Sequence, residues 1–229
     1  MKLPEVSANF ALSIDGNIAA RGKGLTSFTS ARDRRRMLEL RAESDAILVG
    51  RGTLEADDMP LRLPSAKLRA RRTRAGKSAE PLRVVVSNSG RLRKNLRIFR
   101  GGAPIIVFST KSMPAATRLW LEKVADVRLE PRAKRVDLRR AMAVLARDYG
   151  VRSVLCEGGA EVFRALAESR LVAKLHITFA PVIIGGADAP TLLGPARTSL
   201  LRRSIPLRLQ SFRPIGAEAF ATYRFGAAS

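Results

Sequence analysis

Residues 154–161 read Val-Leu-Cys-Glu-Gly-Gly-Ala-Glu, an apolar strand that passes through a glycine pair into an amphipathic helix. Glycines let a ligand approach the backbone closely, and the free amides and dipole of a helix start attract phosphate. The stretch therefore indicates either a dinucleotide or phosphate cradle, or a tight strand-to-helix turn without a ligand. Because a carboxylate repels phosphate, Glu157 is expected to accept hydrogen bonds from a polar substrate elsewhere in the cleft, or else to be a surface acid.

A second stretch has the same design. Residues 50–58, Gly-Arg-Gly-Thr-Leu-Glu-Ala-Asp-Asp, follow an apolar strand predicted at 45–49 and open a helical turn. Thr53 and Asp57 lie four residues apart, about one helical turn, so they share a face. Thr53 is predicted either to donate to a cofactor or to cap its own turn, with the acids placed favourably near the helix start.

A third stretch, Ala-Leu-Ser-Ile-Asp-Gly at 11–16, ends the first predicted strand in a turn. In open α/β sheets ligands bind at the carboxyl edge of the strands, where this turn would lie. Arg41, near the end of a predicted helix, either pairs with a phosphate or offsets the helix dipole. The residues alone leave these alternatives open.

The order of strands and helices sets the fold class. The two alternate over most of the chain, whereas the last part has three strands with no helix of ordinary length between them. This order predicts one α/β domain over residues 1–229, with a mixed sheet, helices on its faces and an antiparallel end. The predicted strands are 6–14, 45–49, 82–86, 105–108, a segment near Val127, 153–156, 175–179, 207–212 and 219–225. The predicted helices are 31–42, a segment after Pro114, 137–148 and 160–169.

Composition removes several classes of protein. The 229 residues are 46% hydrophobic, enough for a normal core. One cysteine and one histidine leave no disulfide, no zinc site and no Ser-His-Asp or Cys-His hydrolase centre, so we expect no metal. The histidine, His176, alternates with apolar neighbours and is predicted to be structural. Without a targeting or membrane-spanning stretch, we expect a cytoplasmic protein.

The formal net charge is +22, and residues 61–100 hold 13 Lys or Arg against one acid, Glu80. Such a balance attracts polyanions. A nucleic-acid-binding module would need aromatic platforms or a recognition helix, whereas this segment contains only Phe99 as an aromatic residue. Phosphorylated small molecules are therefore the expected partners, with nucleic acid as the weaker alternative. Much of the charge falls in residues 62–77, which are predicted to form a solvated loop.

In combination and in this order, the stretches resemble the reductase domain of riboflavin biosynthesis, the C-terminal half of the bacterial bifunctional deaminase/reductase. The resemblance implies a dihydrofolate-reductase-like, three-layer α/β/α fold that binds NADPH and commonly forms a homodimer. It also implies reduction of the ribosyl group of a pyrimidine ribosylamine 5′-phosphate to ribityl. The alternative is a dihydrofolate-reductase-like oxidoreductase with another small-molecule substrate. The likeness is carried by residues 11–16, 40–53, 57–58, 81–87, 157–159 and 180–185.

The resemblance also implies site residues and the chemistry they serve. Hydride would pass from nicotinamide C4 to C1′ of the ring-opened imine, with Glu157 and Asp57 as the catalytic candidates and solvent as another proton donor. The implied NADPH contacts are Ala11, Thr53, Asp57, Ser87, Asn88, Gly158, Gly159, Ala160, Glu161, Val162 and Phe163. The implied substrate contacts are Arg41 and Glu157, together with Thr26 or Ser27.

Three departures from the family pattern concern the substrate rather than the cofactor. The Leu-Thr-Val-Arg that follows the paired aspartates in the family is Leu-Arg-Leu-Pro at 61–64, so one phosphate-binding arginine is missing. Arg62, Arg69 or Arg71 is expected to replace it. Asp-Gly-Lys becomes Asp-Gly-Asn at 15–17, and Val-Asp-Glu becomes Val-Ala-Lys at 172–174. The His/Cys/Cys set of the family's zinc deaminase is also missing, so deamination is expected from another protein.

Overall fold

The computed structural model describes residues 2–18, 28–131, 134–186, 189–194 and 204–226. The predicted strands and helices are present in the predicted order, and the structure adds a helix at Ala66–Arg74. The strands are β1 (Glu5–Leu12), β2 (Ala46–Gly50), β3 (Leu82–Ser87), β4 (Ile105–Thr110), β5 (Asp126–Glu130), β6 (Ser153–Cys156), β7 (Val172–Phe179), β8 (Leu207–Ile215) and β9 (Glu218–Phe225). The helices are α1 (Ala31–Glu43), α2 (Arg51–Asp57), α3 (Ala66–Arg74), α4 (Ala115–Leu121), α5 (Leu138–Tyr149) and α6 (Ala160–Glu168).

The nine strands form one sheet in the order β5-β4-β3-β2-β6-β1-β7-β9-β8. Strands β1 to β7 pair with one another in parallel, while β9 is antiparallel to both β7 and β8. The mixed sheet with an antiparallel end is therefore confirmed. Because β2 and β6 are adjacent and parallel, the glycine-rich stretches that follow them leave the sheet at the same edge.

Helices cover both faces of the sheet. One hydrophobic cluster joins alternate residues of the strands to α5 and α6, and a second joins the opposite face to α2 and α4. Strand β2 is buried along its whole length, as expected of a central parallel strand with helices on both sides. Strand β1 instead alternates, with its even-numbered residues facing the first cluster.

The prediction that residues 62–77 form a solvated loop is wrong, because they contain α3. The Ser65 side chain caps this helix by accepting a hydrogen bond from the Leu68 amide. Arg72, only 2% exposed, donates to the backbone carbonyls of Ser44, Ala42 and Ser78. The helix is thus held by arginine–carbonyl hydrogen bonds rather than by an apolar stripe, and hydrophobic periodicity could not find it.

The edge strand β8 carries a bulge between Leu209 and Ser211. Leu209 pairs with Tyr223 before the bulge, and Phe212 pairs with Ala221 after it. Because paired residues lie on one face, the extra residue keeps the apolar side chains on the same face of the strand. Leu209 is 56% exposed and Phe212 is 53% exposed. We call this surface the β8 face; it comprises Leu207, Leu209, Phe212 and Pro214.

In the part of the chain that the structure describes, no helix has the length and apolar character needed to cross a bilayer.

Candidate active site

The site begins where β2 and β6 end side by side. The Glu157 amide donates to the Leu48 carbonyl at 3.0 Å, and the Gly50 amide donates to the Gly158 carbonyl at 3.0 Å. These two bonds continue the strand pairing past the end of β6 and into the glycine pair. The Gly158–Gly159 peptide bond is cis. The two stretches that the sequence singled out therefore touch along their backbones.

Glycine is required at this junction because the neighbouring chain comes too close for a side chain. A Cβ on Gly159 would lie 2.5 Å from the Thr53 hydroxyl oxygen, and one on Gly50 would lie 2.8 Å from Val162 Cγ2. Gly158 has a φ of +109°, a conformation that other residues rarely adopt. The glycines thus bring the starts of α2 and α6 together, with the Thr53 side chain between them.

Both of these helices begin without a side-chain cap. Their N-cap residues are Gly50 and Gly159, which have no side chain to accept from the first amides. By contrast, Ser30 caps α1 and Asp137 caps α5 through side-chain oxygens. The first amides of α6 are therefore available to an anion.

A cleft of about 700 Å³ opens above this junction. It brings together most of the predicted cofactor contacts, from the start of α2, the end of β3 and the first turn of α6. The predicted residues that line it are Thr53, Ser87, Asn88, Gly159, Ala160, Glu161 and Val162. The cleft also has apolar walls at Val86, Val136 and Leu138. A ligand that carries phosphate groups as well as flat rings would match this mixture of polar and apolar lining residues.

The remaining predicted cofactor residues lie beside the cleft rather than in its lining. Phe163 is 2% exposed, and its ring packs at 4.9 Å on that of Phe10 in the core. Gly158 contributes backbone next to Thr53 and Phe10. Ala11 follows Phe10 on β1, the strand adjacent to β6. Asp57 ends α2, where desolvation raises the pKa of its carboxyl group.

The end of β3 is fixed by its own hydrogen bonds. The Ser87 hydroxyl accepts from the Gly90 amide at 3.0 Å, and the Ser87 carbonyl accepts from the Ser109 hydroxyl at 2.6 Å. The Asn88 side-chain oxygen accepts from the Val136 amide at 2.9 Å. Asn88 therefore ties the segment before α5 to the cleft.

On the opposite face of β6, Arg41 and Glu157 form a buried ion pair. Arg41 Nε and Nη2 donate to the two Glu157 carboxylate oxygens, each at 2.6 Å, and Nη1 donates to the Arg62 carbonyl at 3.0 Å. The two side chains are 8% and 5% exposed. Burial disfavours the charged guanidinium, but the Glu157 carboxylate outweighs this and raises the pKa of Arg41 above its usual value. Two residues 116 apart in sequence thus act as one group.

With this geometry defined, comparison with known proteins identifies the family. The sequence profile of the RibD C-terminal domain matches residues 4–220. The chain belongs to this family.

A relative from Archaeoglobus fulgidus, named 2,5-diamino-6-ribosylamino-4(3H)-pyrimidinone 5′-phosphate reductase, is 36% identical over 222 residues, covering 97% of this chain and 98% of the relative. A pyrimidine reductase-like protein from Corynebacterium diphtheriae superposes with a TM-score of 0.85 at 22% identity, over 98% of this chain and 93% of that one. Dihydrofolate reductase from Enterococcus faecalis, in complex with NADP(H), superposes with a TM-score of 0.50 at 14% identity, over 97% of each chain. The dihydrofolate-reductase-like fold is therefore confirmed.

In this member of the RibD C-terminal family, the three arginines expected to replace the missing family arginine have the following contacts. Arg62 Nη2 donates to the Arg100 carbonyl at 3.2 Å. Arg69 Nη1 donates to the Leu63 carbonyl at 2.6 Å. Arg71 lies 4.0 Å from Glu43 on the surface. All three stand-ins for the missing family arginine thus have intramolecular partners, and the replacement stays a prediction. Thr26 and Ser27 lie outside the described residues.

The Asp-Gly-Asn turn at 15–17 has a role that the sequence did not suggest. The Asp15 carboxylate accepts from the amides of Ile184 and Gly185, at 3.1 and 2.7 Å. It also accepts from the Asn17 side chain at 2.9 Å. The turn after β1 therefore holds the Gly185–Gly186 segment that follows β7.

His176 lies under α1, where its Nδ1 is 3.0 Å from the Thr222 hydroxyl, consistent with the predicted structural role. Burial, with the nearby charges of Arg36 and Lys174, lowers the pKa of His176 to about 4. The ring is therefore neutral at pH 7.

Three arginines of the cleft, Arg51, Arg135 and Arg164, were not predicted. Arg51 stands inside the 50–58 stretch, and its position before a helix start was the available signal. Arg164 lies on the helix that follows the glycine pair, one residue beyond the predicted contact Phe163. Arg135 comes from a segment with no motif, and only the folded arrangement brings it to the cleft. Glu161 and Glu168 also line it, so the arginines exceed the acids by one.

Proposed function

We propose that the protein is an NADPH-dependent reductase that converts the ribosyl group of a pyrimidine ribosylamine 5′-phosphate to ribityl in riboflavin biosynthesis. The observation that carries this proposal is the glycine junction, where two uncapped helix starts and the Thr53 side chain face one cleft of about 700 Å³. The likeness to a full-length relative named as such a reductase supports the same conclusion.

The cleft residues fit a pyridine dinucleotide. The open amides at the start of α6 would bind the pyrophosphate together with Thr53, since an uncapped helix start favours a bound anion. A Cβ at Gly159 would meet the Thr53 hydroxyl at 2.5 Å, so a larger residue there would displace Thr53 from the proposed cradle. Bound NADPH supplies the hydride, and the protein supplies position and electrostatic environment.

The nicotinamide end is assigned to the side of β1 and β6. Ala11 lies on β1, and Glu157 directly follows the adjacent strand β6. The Phe10 ring lies 4.0 Å from the position that a Cβ on Gly158 would occupy. The end of β3, with Ser87 and Asn88, would then contact the adenosine. This orientation puts the reducing end of the cofactor nearest to the ion pair.

On the substrate side, Glu157 would accept hydrogen bonds from hydroxyl or amino groups of the substrate. Arg41 binds both carboxylate oxygens, so the Glu157 carboxylate is held in one orientation. Two of the five Arg41 N–H groups bind Glu157 and a third binds the Arg62 carbonyl, so the other two remain for a substrate phosphate. Asp57 stays the protein's candidate proton donor on the family resemblance; it ends α2, outside the cleft lining, and desolvation raises the pKa of its carboxyl group.

The substrate is proposed to be the pyrimidine before deamination. The Archaeoglobus fulgidus relative is named for a 2,5-diamino compound, and this chain has one histidine and one cysteine, too few for a zinc deaminase set. The test is NADPH oxidation, followed at 340 nm, with the diamino substrate, its deaminated product and dihydrofolate in parallel. Oxidation with the diamino compound at the highest kcat/KM is expected. Turnover of dihydrofolate alone, or of none of the three, would refute the proposal.

We also propose that the protein acts as a homodimer through the β8 face. This strand lies at the end of the sheet, and its bulge aligns exposed apolar side chains on one side. A second copy of the same face would cover them with a matching apolar surface. Sedimentation should give a dimer for the native chain and a monomer for Leu209→Lys with Phe212→Lys. A monomeric native chain at micromolar concentration would contradict this.

A further inference from the structure

The three arginines that line the cleft differ in what they bind. Arg51 pairs with Glu55 at 2.9 Å, one helical turn along α2. Arg164 donates to the Leu193 carbonyl at 3.1 Å. For the Arg135 guanidinium, the described residues supply no hydrogen bond and no carboxylate within ion-pair distance. Within the described part of the chain, Arg135 is therefore the cleft arginine whose guanidinium has no partner.

Arg135 is nevertheless held in place by its neighbours. The next residue, Val136, donates its amide to the Asn88 side chain at 2.9 Å. Asp137 then caps α5 by accepting from the Arg140 amide at 3.1 Å. Two consecutive anchors thus fix the backbone that carries Arg135 against the end of β3. Only the side chain remains free to meet a ligand.

The location of Arg135 selects one part of the cofactor. With the nicotinamide toward β1 and the pyrophosphate at α6, the end of β3 contacts the adenosine half. The phosphate that distinguishes NADPH from NADH lies on the adenosine ribose, at its 2′ position. A guanidinium matches a phosphate monoester because it can donate two parallel hydrogen bonds. Glu161 and Glu168, the acids of the cleft, both belong to α6 rather than to the β3 side.

We propose that Arg135 binds the 2′-phosphate of the cofactor and sets the preference for NADPH over NADH. This inference rests on the proposed function, since it assumes that the cleft holds a pyridine dinucleotide. Arg135 would act on cofactor selection, and the hydride transfer itself would not depend on it. Asn88, through its bond to Val136, would support the same contact.

The test measures dissociation constants of NADPH and NADH by fluorescence titration, without substrate, for the native protein, Arg135→Gln and Arg135→Lys. The native protein should bind NADPH more tightly than NADH. Arg135→Gln should weaken NADPH binding about tenfold or more while changing NADH less than about twofold, because one charge-assisted contact is lost. Arg135→Lys keeps the charge but cannot donate two parallel hydrogen bonds, so its NADPH affinity should lie between those of the native protein and Arg135→Gln. In Arg135→Gln, 2′-AMP should also compete less well with NADPH for binding than it does in the native protein, whereas competition by 5′-AMP should not change.

Arg139→Gln is the matched control, because Arg139 lies on α5 one turn beyond Arg135 and donates to the Ser169 carbonyl instead. It should leave both constants unchanged. A native preference for NADPH that survives in Arg135→Gln would overturn the inference and leave the proposed function intact. An equal loss of NADPH and NADH binding would also overturn it, since that points to a packing role. If the native protein binds neither dinucleotide, the proposed function fails as well.

Discussion

The two edges of the central sheet treat their backbone polar groups in opposite ways. At the carboxyl edge, α2 and α6 begin at Gly50 and Gly159 and leave their first amides open. At the amino edge, Arg72 saturates the carbonyls at the end of α1, and Arg83 donates to the Ile98 and Ala103 carbonyls. The difference teaches that the helix starts beside the cleft keep their amides open for a ligand, whereas arginine side chains close the carbonyls at the amino edge.

The largest effect is expected from removing the arginine side chain that binds the carbonyls at the amino edge. Arg72→Met should lower the free energy of unfolding by about 3 kcal/mol, because several buried carbonyls lose their donor together. Urea unfolding at pH 7 measures the change. Arg71→Met is the control, because the Arg71 side chain is 47% exposed and its contact with Glu43 is long, at 4.0 Å. This change should lower the free energy of unfolding by less than about 0.5 kcal/mol. Equal effects of both variants would remove the contrast between the edges.

The buried Arg41–Glu157 ion pair contrasts with the open helix starts of the same site, and breaking it tests the comparison. Glu157→Gln should reduce kcat about 100-fold, because the substrate loses a charged acceptor, an effect worth about 2.7 kcal/mol. NADPH affinity should change less than about twofold. Steady-state kinetics and fluorescence titration separate the two quantities. Parallel loss of both, or of neither, would contradict the role given to Glu157, and a thermal melt shows whether the variant is folded.

Filling the open edge should affect cofactor binding more than folding. Gly159→Ala places a Cβ at 2.5 Å from the Thr53 hydroxyl and should weaken NADPH binding about tenfold, because Thr53 must move away from the ligand. Gly52→Ala has no atom within 4 Å of its new Cβ and should stabilise α2 by about 0.5 to 1 kcal/mol. If Gly159→Ala binds NADPH normally, the cradle is not where the pyrophosphate lies.

The smallest effect concerns His176, a buried group away from both edges. Its folded pKa of about 4 lies below the ordinary value of 6.5, so the unfolded chain binds the extra proton first as pH falls. Stability should therefore be full above pH 6.5 and decrease toward pH 4, by about 1 kcal/mol at pH 5 after allowing for solvent screening. The charges facing the ring are Arg36 of α1 and Lys174 of β7. Urea midpoints at pH 7 and pH 5 should converge in His176→Gln; an unchanged pH dependence would assign it to other groups.

The sequence was most informative where one physical signal dominated. Apolar runs located the strands within a few residues, and β6 was predicted with its observed bounds. The same signal placed the glycine stretches at one edge, because parallel strands that end in tight turns must leave the sheet together. Thr53 and Gly159, predicted from separate stretches, lie against each other at one junction.

Polar contacts between distant segments were beyond the sequence. Arg41 was interpreted as a phosphate partner or a helix-end residue, whereas the structure pairs it with Glu157. No local pattern encodes a bond between residues 116 positions apart. Helix α3 was missed for the same reason, since Arg72 replaces an apolar stripe by hydrogen bonds to another helix. Tertiary context decides such positions, and Arg135 belongs with them.

The arginines of the amino edge also bear on the electrical character of the molecule. Arg72 and Arg83 are each 2% exposed, so their guanidinium groups contribute to the long-range field but cannot form contact pairs with an external polymer. A titration against heparin at increasing sodium chloride counts only the cations that displace condensed counterions. The number of cations obtained from the slope of this titration will therefore be smaller than the 42 Lys and Arg residues of the chain. Part of this protein's basicity is internal scaffolding.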